Sequence, residues 1–135
     1  MLENVKVLVD SNTLQKRIGE IADQISADYN NEDITFICVL NGAVYFAIDL
    51  SKKIKNSDII MDFVKVSSYG INQRESTGVI NFKLDISENI ENKNVIIVED
   101  IIDSGNTLDY LYNYLKQKNP KSLKICVLLD KKEKR

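Results

Sequence analysis

The sequence predicts an α/β fold, a mostly parallel sheet flanked by helices on both faces. Two observations predict it. Short β-branched apolar runs alternate with segments whose apolar residues recur every three or four positions. The runs themselves are continuously apolar, as expected of strands covered on both sides. At 135 residues, with no internal repeat, linker or low-complexity segment, the chain reads as a single domain over 1–135, large enough to bury a core.

The elements follow in order. Residues 13–29 place Leu14, Ile18, Ala22, Ile25 and Tyr29 at helical spacing, and Asn12 with Gln15 resembles a capping box at the start. "ITFICVL" (34–40) is a buried strand and "AVYFAIDLSKKI" (43–54) a helix. "IIMDFVKVSSY" (59–69) is a strand that leads into a mobile loop, "GINQREST", from which "GVINFKLD" returns as a short edge strand. "VIIV" (95–98) is a second buried strand. Leu108, Leu111, Tyr112 and Leu115 mark one face of a helix that must end before Pro120, and "SLKICVLL" (122–129) closes the pattern as a strand. Tyr110, Tyr112 and Tyr114 on that last helix are read as packing or subunit-contact residues.

Composition excludes several classes. A net charge of -2 and a pI near 5.2 offer no basic face to a nucleic-acid backbone. The apolar stretches around 34–50 are interrupted well before membrane-spanning length, so no membrane partner is expected. The start, "MLENVKVLVD", has neither the basic head nor the apolar core of a secretion signal, and the chain is read as cytoplasmic. There is no histidine, which removes histidine-based nucleophile systems and zinc sites. Cys38 and Cys126 both lie within apolar runs and are expected as small buried core residues. Acid–base work is left to Asp, Glu, Lys or Tyr.

The stretch "VIIVEDIIDSGNT" (95–107) carries the chemistry. Ligands of open parallel sheets collect beyond the carboxyl ends of the strands. There, Asp103, Ser104, Gly105, Asn106 and Thr107 offer backbone amides, two hydroxyls and a helix N-terminus to an anion, with no basic residue between Lys93 and Lys116. Glu99 and Asp100 would repel a bare phosphate. They make sense if the ligand also presents vicinal hydroxyls, as on a ribose, and a magnesium ion bridging to further phosphates. Asp103 would then lie nearest the reacting carbon. A second strand end, "VLNGA" (39–43), places Gly42 where backbone can approach a ligand closely. A sugar with a terminal phosphate, free hydroxyls and a metal-bound polyphosphate fits this pattern, and 5-phosphoribosyl 1-diphosphate is such a molecule.

"VIIVEDIIDSGNT" resembles the phosphoribosyl-diphosphate signature of the type I phosphoribosyltransferases. "VLNGAVYFAIDL", "DFVKVSSYG" and "NPKSLKICVLLDKKEKR" resemble, in the right order, further segments of the bacterial hypoxanthine (hypoxanthine-guanine) phosphoribosyltransferases. The resemblance implies purine salvage, in which hypoxanthine or guanine displaces diphosphate from the activated ribose to give IMP or GMP. It implies Glu99 and Asp100 on the ribose hydroxyls and Mg2+, Asp103 as the proton acceptor at purine N7, and residues 103–107 on the 5-phosphate. Leu40, Asn41 and Gly42 would form the diphosphate turn, Ser68 and Tyr69 would close over the site, and Lys131 would bond the purine's exocyclic oxygen. It also implies a homodimer or homotetramer.

Asn41 stands where many members have lysine or arginine, which shifts diphosphate binding toward backbone amides and metal. The aromatic and acidic residues with which the family continues beyond the position of Arg135 have no counterpart here. The expectation is therefore a base-binding hood lacking its C-terminal part, with phosphoribosyl diphosphate bound but purine turned over poorly. Taken singly, an acidic pair is more often a solvated surface, and "DKKEKR" a solvated end. The ordered combination favours function. A non-catalytic regulator that senses nucleotides through the same site is the alternative, though it would normally bring a nucleic-acid-binding surface. A phospho-accepting receiver domain ranks last, because it needs acids on two separate strand ends and a lysine on a third.

Overall fold

The structure is a computed structural model that describes residues 10–67, 81–102 and 106–130. Its described elements are α1 (Ser11–Asp28), β1 (Ile34–Val39), α2 (Val44–Lys53), β2 (Ile59–Ser67), β3 (Asn81–Leu84), β4 (Asn94–Ile102), α3 (Asn106–Lys116) and β5 (Ser122–Asp130). The strands form one sheet in the order β3-β2-β1-β4-β5. β1 runs parallel to both β2 and β4, β4 runs parallel to β5, and only β3 is antiparallel, on the β2 edge.

Central position explains the apolar runs. All six residues of β1 are buried, because strands flank it on both sides and helices cover both faces. Alternation along the strands sorts the core into two layers. Ile34, Phe36, Cys38, Ile96 and Val98 pack with α1 and α2, whereas Ile37, Val39, Val95 and Ile97 pack with Leu108, Leu111 and Leu115 of α3. Cys38 is fully buried as expected, but Cys126 is only half-buried. It lies on β5, the strand with β4 as its one described neighbour, so less of it is covered.

Two local expectations need correction. The cap of α1 is Asp10, not Asn12: its carboxylate accepts the Thr13 N–H at 2.8 Å, and the helix has already begun at Ser11. β4 is also longer than "VIIV". Pairing with β1 stops at Cys38↔Val98, but pairing with β5 continues to Ile102↔Asp130, which carries the strand through Glu99 and Asp100.

Asp62, on β2, is a buried acid that the sequence pattern did not single out. It accepts the N–H groups of Phe63, Ser87 and Glu88 at 2.8, 3.0 and 2.8 Å, and the Ser87 hydroxyl at 3.3 Å. Its role is architectural, tying the segment after β3 back to the sheet. Tyr114 makes a similar tie from α3. Its hydroxyl donates to Asp85, and its ring packs on Phe82 with centroids 4.7 Å apart. Among the described residues, no helix is long and apolar enough to cross a membrane.

Candidate active site

The topology selects one place on the sheet for a ligand. From β1 the chain passes through α2 to β2, and from β4 through α3 to β5, in opposite directions along the sheet. Helix α2 packs on one face and α3 on the other. Adjacent parallel strands whose connections diverge leave a crevice beyond their carboxyl ends, the usual ligand position in such sheets. Here that crevice lies between β1 and β4: the turn 40–43 leaves the sheet there, beside the Glu99–Ile102 end of β4 that pairs with β5 alone.

The β1 side is a tight turn. Leu40 N–H donates to Val64 O at 2.8 Å, pinning the turn to β2, and Ala43 and Val44 N–H donate to Val39 and Asn41 carbonyls at 3.3 Å each. The Leu40–Asn41 peptide is cis. Asn41 and Gly42 are exposed, and among the described residues their N–H groups take no partner. Free adjacent amides at a helix entrance suit an anion.

The β4 side carries the acids. Successive strand residues start on opposite faces, but the longer Glu99 side chain turns back, and its Oε1 accepts the Asp100 N–H at 2.9 Å. Burial, followed by the hydrogen bond and the charge of the neighbouring Asp100 carboxyl, pushes Glu99 up to about 7. Asp100 lies directly against the β1 turn: a Cβ on Gly42 would stand 3.1 and 3.2 Å from its two carboxylate oxygens. Asp100 thus lies against Gly42, with Glu99 bonded beside it.

This donor set fits magnesium. The ion is commonly held by one or two carboxylates, with substrate phosphates and water completing its shell. Among the described residues, no group of three or more His, Cys, Asp or Glu forms a cage that would hold an ion by protein alone. Close carboxyls, one of which favours its protonated form, are also a place where a cation would be welcome.

Asn106 opens α3 and Thr107 is its second residue, half-buried, so these two residues of the expected phosphate loop belong to the helix itself. Asp103, Ser104 and Gly105 of that loop lie outside the described residues, as do Ser68, Tyr69 and Lys131. A groove of about 260 Å³ between α1 and β5, lined by Arg17, Tyr29 and Lys124 among others, shares no residue with this site.

Comparison with known proteins agrees with this geometry. Residues 4–135 match the phosphoribosyl transferase domain family, and the chain belongs to that family. Its similar relatives narrow the branch to the hypoxanthine and hypoxanthine-guanine phosphoribosyltransferases. The hypoxanthine phosphoribosyltransferase of Buchnera aphidicola is 44% identical over 135 residues, covering 98% of this chain and 75% of its own. A hypoxanthine-guanine phosphoribosyltransferase from Bacillus anthracis, solved with HEPES in its active site, superposes with a TM-score of 0.88 at 48% identity, over 97% of this chain and 76% of its own. The Trypanosoma cruzi hypoxanthine phosphoribosyltransferase, solved with the product IMP, gives 0.85 at 37% identity, over 96% and 73%. The chain is thus a phosphoribosyltransferase with the mostly parallel α/β fold of the type I enzymes, and it spans about three-quarters of the length of these relatives.

Proposed function

We propose that the chain transfers the 5-phosphoribosyl group from 5-phosphoribosyl 1-diphosphate to hypoxanthine or guanine, releasing diphosphate and giving IMP or GMP. One observation carries this reading. The free amides of Asn41 and Gly42 adjoin the Asp100 carboxyl, with Glu99 beside it, at the crevice between β1 and β4, and α3 opens at Asn106 in the chain that follows β4. The three parts match diphosphate, ribose hydroxyls with magnesium, and 5-phosphate.

In this reading the amides of Asn41 and Gly42 hold the diphosphate, and neutral Asn41 leaves much of its charge to be met by the metal. Mg2+, held by Glu99 and Asp100, would supply that charge and draw electrons from the leaving group. Asp100 and Glu99 also accept hydrogen bonds from the ribose hydroxyls. Residues 103–107 seat the 5-phosphate on the first turn of α3 and fix the distance to the reacting carbon. Asp103 takes the proton from purine N7 as the base attacks. Lys131 bonds the 6-oxo group and so selects against adenine, while Ser68 and Tyr69 exclude water from an oxocarbenium-like transition state. Assembly as a homodimer or homotetramer belongs to the same reading.

The test is formation of IMP from hypoxanthine, 5-phosphoribosyl 1-diphosphate and magnesium, followed by chromatography. IMP with equal release of diphosphate supports the proposal. Hydrolysis of the diphosphate without nucleotide, at every purine tried, contradicts it.

A further inference from the structure

The glycine at position 42 has a cause that the motif alone does not reveal. Gly42 is not in a left-handed backbone conformation, so conformational freedom does not explain it. What explains it is closeness. The three nearest atoms to a Cβ built there all belong to one carboxyl group: Asp100 Oδ1 at 3.1 Å, Oδ2 at 3.2 Å and Cγ at 3.4 Å. Contacts this short require the neighbour to give by a few tenths of an ångström. Gly19 provides the contrast, because a Cβ there meets nothing within 4 Å.

Of the two parties, the carboxyl is the one able to give way. The turn is held at both ends, by Leu40 N–H on Val64 O and by Ala43 N–H on Val39 O. The backbone of Asp100 is held in β4, with its N–H on Glu99 Oε1. The side-chain torsions of Asp100 are the remaining freedom. We propose that Gly42 is a positioning residue for Asp100: by presenting no side chain, it lets the Asp100 carboxyl lie flat against the diphosphate turn. The turn's amides and the carboxyl then address the same bound group from adjoining positions. The turn and the acidic pair form one unit, in which a methyl group at position 42 disorients a ligand residue on another strand. This rests on the phosphoribosyl-diphosphate reading only for what the carboxyl binds, not for the contact itself.

The test is a double-mutant cycle of Gly42→Ala and Asp100→Ala, with Gly19→Ala as control. It has one readout that needs no ligand and one that does. In the ligand-free protein, the ¹³C resonance of the Asp100 carboxyl should shift in Gly42→Ala and stay in place in Gly19→Ala. An unmoved resonance in Gly42→Ala overturns the proposal, whatever the protein binds. In calorimetry with magnesium and 5-phosphoribosyl 1-diphosphate, Gly42→Ala should weaken binding by about 10-fold or more, the usual cost of disturbing the orientation of a metal ligand. Binding of inorganic phosphate should be unaffected. In the Asp100→Ala background the same alanine should change nothing further. An equal loss in both backgrounds would place the effect in the turn's own backbone and overturn the proposal. If Gly42→Ala fails to fold, a folded double variant still establishes the contact, and a double variant that also fails refutes it. Wild-type protein that binds no phosphoribosyl diphosphate would sink the functional reading alone, leaving the resonance to judge the contact.

Discussion

Strand β4 has polar residues at both ends, and the two ends treat them in opposite ways. At its start, Asn94 is buried and fully occupied. Its Nδ2 donates to Glu32 Oε1 at 2.8 Å and to Asp33 O at 3.3 Å, and its Oδ1 accepts the Ser122 hydroxyl at 2.9 Å. Lys121 completes the group with its amine 3.4 Å from Glu32 Oε1. The bond from Asn94, then the bond and charge of Lys121, hold the Glu32 carboxyl below its ordinary range. Near the other end, Glu99 is pushed up to about 7 by burial and by Asp100 beside it. One end satisfies its polar groups and holds three strands in register. The other leaves two adjacent acids, one of them against a turn with free amides. Conflict of the second kind persists where a ligand resolves it.

Variants at the two ends should therefore separate affinity from stability. The largest effect is expected from Asp103→Asn, which should lower turnover on the order of 10²–10⁴-fold, as loss of a general base does. Phosphoribosyl diphosphate should still bind. Unchanged turnover across the pH range would remove Asp103 from the role of proton acceptor.

Next comes Glu99→Ala with Asp100→Ala. Magnesium-dependent binding of phosphoribosyl diphosphate should fall by about 10–100-fold, with less loss for inorganic phosphate and no loss of folded stability. Equal losses for the two ligands would mean that the pair only supports the fold.

The opposite end should behave in reverse. Asn94→Ala strands Glu32 and Ser122 without their buried partner and should cost about 1–3 kcal/mol in urea unfolding. Ligand affinity should stay put, and a fall in affinity without a fall in stability would break the contrast.

These contrasts were only partly readable in the chain. β1 and the core of β4 declared themselves, because strands buried on both faces are apolar throughout. α3 declared itself by Leu108, Leu111 and Leu115, and by the stop at Pro120. The end of β4 did not, because Glu99 and Asp100 interrupt the apolar run while β5 continues to pair with it. The cap at Asp10 was hidden by a rival pattern at Asn12, two residues on. The half-exposure of Cys126 follows from strand order, which a linear pattern does not carry. In the site, residue types and spacing raised an anion at the loop before α3 and hydroxyls with a metal at Glu99 and Asp100, while the diphosphate reading of the 40–42 turn came from the resemblance. The contact between Gly42 and Asp100 is between residues 58 positions apart by number, and only the pairing of β1 with β4 brings them together.

The smallest effect concerns pH. A carboxyl whose pKa is raised on folding adds stability that is full below its unfolded pKa, near 4.5, and lost as pH rises through its folded value of about 7. Glu99→Gln removes that dependence. Relative to wild type, the variant should gain about 1–2 kcal/mol between about pH 5 and about pH 8, the figure being reduced for a partly exposed group. Unfolding curves that stay parallel across that range would place the Glu99 titration elsewhere.

In the proposed function, the crowded end of β4 is completed by a metal-bound phosphoribosyl diphosphate. Calorimetry of the wild-type chain with 5-phosphoribosyl 1-diphosphate, with and without magnesium, tests it most directly. A single saturable site is expected, with an affinity that rises when magnesium is added and a magnesium response that disappears in Glu99→Ala/Asp100→Ala. No binding, or binding of the same strength with and without magnesium, would contradict it.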